Sequence, residues 1–187
     1  MEVSVTLPQA VPPKLRRLSR VMSFLSLFGM IAIPALVIAI FLHPDTTQFL
    51  MFRLDHLGVD LTSQIPLQYR VEALVCEAVP VAFTVWVLWS LRQLFANYAR
   101  GEVFSPGPLK HLNNVANALF LGVLAEFVMQ APISYVLSLH NPPGHREVSL
   151  SFGSSDAGWL FIAGAVLVIA RVMGEARRVA DENAAFV

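Results

Sequence analysis

The sequence predicts an all-α integral membrane protein. Its expected architecture is a four-transmembrane-helix bundle with a small extracytoplasmic β-sheet formed by the two outer loops. Two observations predict the helices. Four apolar runs are each long enough to cross a bilayer. Charge is also scarce, at 14% of residues with 56% hydrophobic, against about 25% charged in a typical soluble domain. A third observation predicts the sheet. The stretches after the first and third runs alternate apolar and polar residues, as half-buried strands do.

The first run is Val21 to Leu42. As a helix it covers roughly 33 Å, enough for a hydrocarbon core of about 30 Å. It follows Lys14, Arg16, Arg17 and Arg20, the flank that a secretory signal also carries. A cleavable signal has an apolar core of only about 7 to 15 residues before a small-residue cleavage site. This run is longer, and Phe41-Leu42-His43-Pro44 is a poor cleavage site, so a retained helix is expected. The second run is Ala73 to Phe95, the third Val115 to Leu139 and the fourth Ala157 to Met173. The fourth is short, and Trp159 and Arg171 are expected to help its ends at the interfaces. A soluble helical bundle would need polar faces on these runs, and Val81 to Leu91 and Leu160 to Ala170 have almost none.

Basic residues set the orientation. Four spans put both termini on one side with the loop between the second and third runs. That side collects Lys14, Arg16, Arg17, Arg20, Arg92, Arg100, Lys110, Arg171, Arg177 and Arg178, and the other only Arg53, Arg70 and Arg146. The excess predicts cytoplasmic termini.

The outer loops are patterned. Phe52-Arg53-Leu54-Asp55 and Leu67-Gln68-Tyr69-Arg70-Val71-Glu72 alternate in the first. Arg146-Glu147-Val148-Ser149-Leu150-Ser151-Phe152 alternates in the second, between Pro142-Pro143-Gly144 and Gly153-Ser154-Ser155. A long loop without structure is uncommon in a compact protein. Antiparallel pairing of these segments is therefore expected.

The cytoplasmic loop has sharp local grammar. The second helix should run through Leu94 to Arg100 and close on Gly101 in the left-handed conformation. Ser105-Pro106 should restart the chain as N-cap and first helical residue, with the Ser105 hydroxyl taking the Gly107 N–H. Arg100, Gly101, Glu102, Phe104 and Ser105 form a candidate docking loop for a cytoplasmic regulatory protein. The plainer reading is a helical hairpin with tidy ends.

At these residues the chain resembles a known family. Leu94-Phe95-Ala96-Asn97-Tyr98-Ala99-Arg100-Gly101-Glu102-Val103-Phe104-Ser105 looks like the "LF-x-x-Y-x-x-G-x-x-F-S" block of the bacterial domain-of-unknown-function 2975 membrane proteins. The tail Glu175 to Asn183 resembles that family's charged C-terminal helix. The resemblance implies a small four-helix protein of the bacterial inner membrane with no assigned activity. Family members often lie beside small helix-turn-helix regulators, which points to signalling. Residues 1–13 exceed the family minimum and are expected to be a disordered cytoplasmic segment, with residues 14–187 a single membrane domain.

Two carboxylates lie inside the spans. A charge at the bilayer centre costs at least about 2.5 to 3.5 kcal/mol, so such groups usually face the bundle or a cavity. Helical spacing puts Ala73, Glu77, Pro80 and Thr84 on one face of the second helix, and Gly122, Glu126 and Gln130 on one face of the third. Depth sets Glu77 level with Gln130 and Thr84 level with Glu126. Glu77, Thr84, Glu126 and Gln130 are the candidate intramembrane polar site, with a neutral Glu126 expected to bond near Thr84. The plainer reading is interhelical glue. Pro34, Pro80 and Pro132 are expected to kink three helices.

Other chemistry is narrowed. Cys76 is the single cysteine, which excludes an internal disulfide, a CxxC pair and a cysteine-rich metal site. No GxGxxG, Walker loop, GxSxG or HExxH pattern is present. The expectation is a non-enzyme without metal or cofactor, whose partners are the lipid bilayer and a cytoplasmic regulator. Its net charge of zero gives no field for nucleic acid, and an oligomer fits equally well. A sensing, regulatory or scaffolding module leads. A small-molecule binding or transport subunit using Glu77 and Glu126 is the alternative.

Overall fold

The computed structural model describes residues 12–43, 65–102, 106–139, 141, 146 and 148–184. Four long helices account for most of them. Helix α1 spans Pro13–Leu42, α2 Leu67–Arg100, α3 Pro106–Ser138 and α4 Ser154–Ala184. All four are long and apolar enough to cross a membrane, and each contains one predicted run. Residues 1–11 of the segment expected to be disordered lie outside the described residues, while Pro12 and Pro13 are the N-cap and first residue of α1.

Proline starts three of the helices. Pro13 opens α1, Pro66 precedes α2 and Pro106 opens α3. Its fixed φ suits a first turn, where its missing N–H costs nothing. Helix α4 starts on a carboxylate instead. Asp156 Oδ2 accepts the Gly153 N–H at 2.8 Å, one half of a capping box. Pro34, Pro80 and Pro132 lie inside α1, α2 and α3, which continue through them.

The helices stand in chain order, each antiparallel to its neighbour. The α2–α3 interface is the largest, α1 packs on α2 and α4 on α3. The start of α1, the end of α4, the end of α2 and the start of α3 thus share one end, called basal here. Leu42, Leu67 and Ser138 lie at the distal end. Two glycines allow close approach, as small residues do between helices in lipid. A Cβ on Gly122 would stand 3.3 Å from Phe83 Cβ, and one on Gly29 3.2 Å from Leu88 Cδ1. The main apolar cluster lies at the distal end and joins Phe41, Ile65, Ala73, Ile133 and Leu137. Large side chains such as Phe24, Phe28, Ile31, Phe161 and Val168 point outward. An outer surface this apolar matches acyl chains, since soluble proteins rarely expose a large apolar patch.

The expected β-sheet is not present. No strand occurs among the described residues. Leu67 to Glu72 forms the first turns of α2, where Tyr69 and Arg70 donate their N–H groups to the Pro66 carbonyl. The alternation misled because burial here follows a helix: Leu67, Gln68, Val71 and Glu72 are all exposed and Arg70 is buried. Leu67 and Val71 sit on the outer face of the helix while polar Arg70 points inward. Val148 to Phe152 has no regular secondary structure, and its bonds go to side chains of α3 rather than to a second strand. Phe52 to Asp55 lies outside the described residues.

Candidate functional site

A buried polar face at the distal end of α2 is built by helical spacing. Arg70, Ala73, Glu77 and Pro80 follow one another at steps of three, four and three, and all four are buried. Arg70 is 5% exposed and Glu77 7%. The guanidinium of Arg70 reaches the end of α1. Its Nη2 donates to the Ile40 carbonyl at 3.4 Å and to the His43 carbonyl. The last carbonyls of a helix lack intrahelical partners and carry the negative end of its dipole. A buried cation there satisfies both demands and ties α1 to α2.

On α3, a second polar stripe runs Gln130, Ser134, Ser138 at steps of four. Ser134 and Ser138 are fully buried. The Ser134 hydroxyl lies 3.0 Å from the Ala131 carbonyl and 3.3 Å from the Ser149 carbonyl, and it accepts the Ser149 N–H at 3.0 Å. Gln130 Oε1 accepts the Ser151 N–H at 2.8 Å. Phe127, one turn lower, meets Phe152 edge-on at 6.2 Å between ring centroids. The hydroxyl and amide of α3 thus hold the non-helical chain that leads into α4.

The four predicted polar residues have different surroundings. Glu77 is buried on the Arg70 face and Glu126 is half-buried on α3. Gln130 serves the non-helical segment. Thr84 is exposed, and its hydroxyl donates to the Pro80 carbonyl of its own helix at 3.2 Å. Contact between Gly122 and Phe83 sets the helix register, which leaves Glu126 and Thr84 offset by roughly 7 Å along the axis.

At the basal end, Gly101 has φ 92° and closes α2 in the left-handed conformation, as the sequence leads one to expect. Its N–H bonds the Tyr98 carbonyl and the Glu102 N–H the Asn97 carbonyl, each at 3.1 Å. Arg100 donates to Asn97 Oδ1 and lies 3.5 Å from Glu102. Leu94 and Asn97 are buried one turn earlier. Phe104 and Ser105, with the expected Ser105–Gly107 bond, lie outside the described residues. On the α4 extension Arg178 pairs with Glu175 at 2.5 Å and Glu182 at 3.6 Å. Arg92 stacks 5.8 Å over the Trp89 ring.

Sequence reasoning missed Arg70 and Ser134. Both signals were present. Arg70 continues the Ala73–Glu77–Pro80 spacing one step outward, and Ser134 continues Gln130 by one turn. Among the described residues, no group of three His, Cys, Asp or Glu is placed to hold a metal ion. What the arrangement provides is polar attachment between apolar helices, with charge exposed at the basal end.

No curated protein and no solved structure is significantly similar to the chain. A family match does exist, and it takes in the Gly101 turn, the Arg70 face, the α3 stripe and the α4 extension. Residues 56–187, more than two thirds of the chain, match the family described as "Protein of unknown function (DUF2975)", and the chain belongs to that family.

Proposed function

We propose that the protein is a non-enzymatic sensing, regulatory or scaffolding module of the bacterial inner membrane. Both termini face the cytoplasm, and the basal end docks a cytoplasmic regulatory protein. One observation carries the reading. The Gly101 turn and the α4 extension both present exposed charge at the same end of an otherwise apolar molecule, through Arg100 and Glu102 on one and Glu175, Arg178 and Glu182 on the other. Exposed ion pairs of this kind add little stability, so recognition is the better account of their clustering. The basic excess at that end fits a cytoplasmic placement. In-cell cross-linking followed by purification of the intact protein tests this. Replacing Arg100 and Glu102 by Ala should remove a bound regulator. An unchanged set of partners sinks the reading.

The buried Glu77 on the Arg70 face supports a second reading, a small-molecule binding or transport subunit. Its site would be Glu77 and Glu126, since Gln130 bonds Ser151 and Thr84 bonds Pro80. Glu126→Gln separates the two. A proton-coupled site loses uptake with this change, while a carboxyl that only joins helices tolerates it.

A further inference from the structure

The fourth apolar run, Ala157 to Met173, covers about 25 Å as a helix, short of a hydrocarbon core of about 30 Å. The structure also sets α4 low against α3. Ser149 pairs with Ser134, Ser151 with Gln130 and Phe152 with Phe127. The chain therefore descends α3 by roughly 10 Å before α4 begins, and Phe127 lies roughly 16 Å below the distal end of α3. Over this descent the side chains alternate in the reverse sense of a water-facing strand. Ser149 and Ser151 are half-buried, while Val148, Leu150 and Phe152 are 62%, 55% and 57% exposed.

We propose that residues 148–153 are a non-helical, membrane-embedded segment that completes the fourth crossing, with Val148, Leu150 and Phe152 forming a contact surface for lipid acyl chains. Non-helical backbone at membrane depth needs its polar groups met by protein. Gln130 and Ser134 meet the N–H groups of Ser151 and Ser149 on the α3 side. At the join, Asp156 takes the Gly153 N–H, and its carboxylate sits where the N-terminus of α4 favours negative charge. Helix α4 is itself long enough to cross; the apolar length that its run lacks is supplied by non-helical chain, which when extended rises about 3.3 Å per residue against about 1.5 Å in a helix. The inference rests on the membrane reading and is independent of any cytoplasmic partner.

Single cysteines in a Cys76→Ala background test it, with the full-length protein in lipid nanodiscs open to reagent from both sides. The variants are Arg146→Cys, Leu150→Cys and, as a lipid-facing reference on α1, Phe28→Cys. A charged, membrane-impermeant maleimide should label Leu150→Cys at least about tenfold more slowly than Arg146→Cys, because reaction there requires local opening. Leu150→Cys should match Phe28→Cys. Adding Gln130→Ala and Ser134→Ala should raise the Leu150→Cys rate, and an unchanged rate overturns the anchoring by α3. If Leu150→Cys reacts as fast as Arg146→Cys while Phe28→Cys stays protected, the segment is a water-facing loop and the proposal fails with the membrane reading intact. Fast labelling of Phe28→Cys overturns both. A nitroxide on Leu150→Cys adds one more check. Spin–spin broadening between copies would show a second protein molecule on this surface in place of lipid, and would overturn the assignment.

Discussion

Arg70 shows how one side chain substitutes for water. At a soluble helix end the last carbonyls are hydrated; here Ile40 and His43 receive a guanidinium instead. Arg70→Met should lower stability by about 2 to 3 kcal/mol, the range for bonds to a charged group. Denaturation in detergent reads this loss. Arg70→Lys should recover only part of it, because a compact, strongly hydrated ammonium is costlier to bury than a weakly hydrated guanidinium. Ser90 is the opposite case. Its hydroxyl is buried on α2 with no hydrogen-bond partner. An unmet buried donor costs about 1 to 3 kcal/mol. Ser90→Ala should therefore leave the unfolding midpoint unchanged or raise it, and a marked fall would show that the hydroxyl has a hidden role.

The helices were legible in the sequence because each apolar run approaches or exceeds the thickness of a hydrocarbon core, which no local turn signal can disguise. The Gly101 closure was legible because only glycine takes φ 92° without cost. The first turns of α2 were not. Leu67 to Glu72 alternates over a window too short to separate a period of 2 from one of 3.6. The non-helical segment was half legible. Its alternation predicted a strand, and no strand occurs among the described residues; sequence could not say that Gln130 and Ser134 would take the place of a partner strand. Glu77 lies on the buried face of its helix, whereas Thr84, two turns further along, is exposed. Close packing of α2 on α3 gives a direct check at this scale. Gly122→Leu would drive a branched side chain into Phe83, whose Cβ already lies 3.3 Å from the position of a first added carbon. Overpacking of this sort costs about 1 to 3 kcal/mol. The expected result is a lower melting temperature, and Phe83→Ala in the same chain should restore part of it.

Across the whole molecule, surface chemistry is inverted relative to a soluble protein, with polar groups inside the distal half and large apolar side chains outside. Alkaline carbonate should leave the protein in the membrane pellet, while mild detergent extracts it. Release by carbonate alone would refute the membrane assignment. The row-like order of the helices also gives the flanks unequal support. Helix α4 meets α3 through small side chains such as Ala163 and Ala170, whereas α1 is fixed to α2 by Arg70. That fixation has a practical outcome. Residues 44–64 leave at His43, whose carbonyl Arg70 holds, and return at Ile65, which is packed in the cluster with Phe41. The neck of this excursion is thus clasped independently of its length. Doubling a loop adds only about 0.6 kcal/mol of closure entropy. An epitope spliced near Gly58 should therefore leave detergent-solubilised protein monodisperse, with a melting temperature close to the parent's, and would give antibodies a handle for deciding which side of the bilayer the excursion faces.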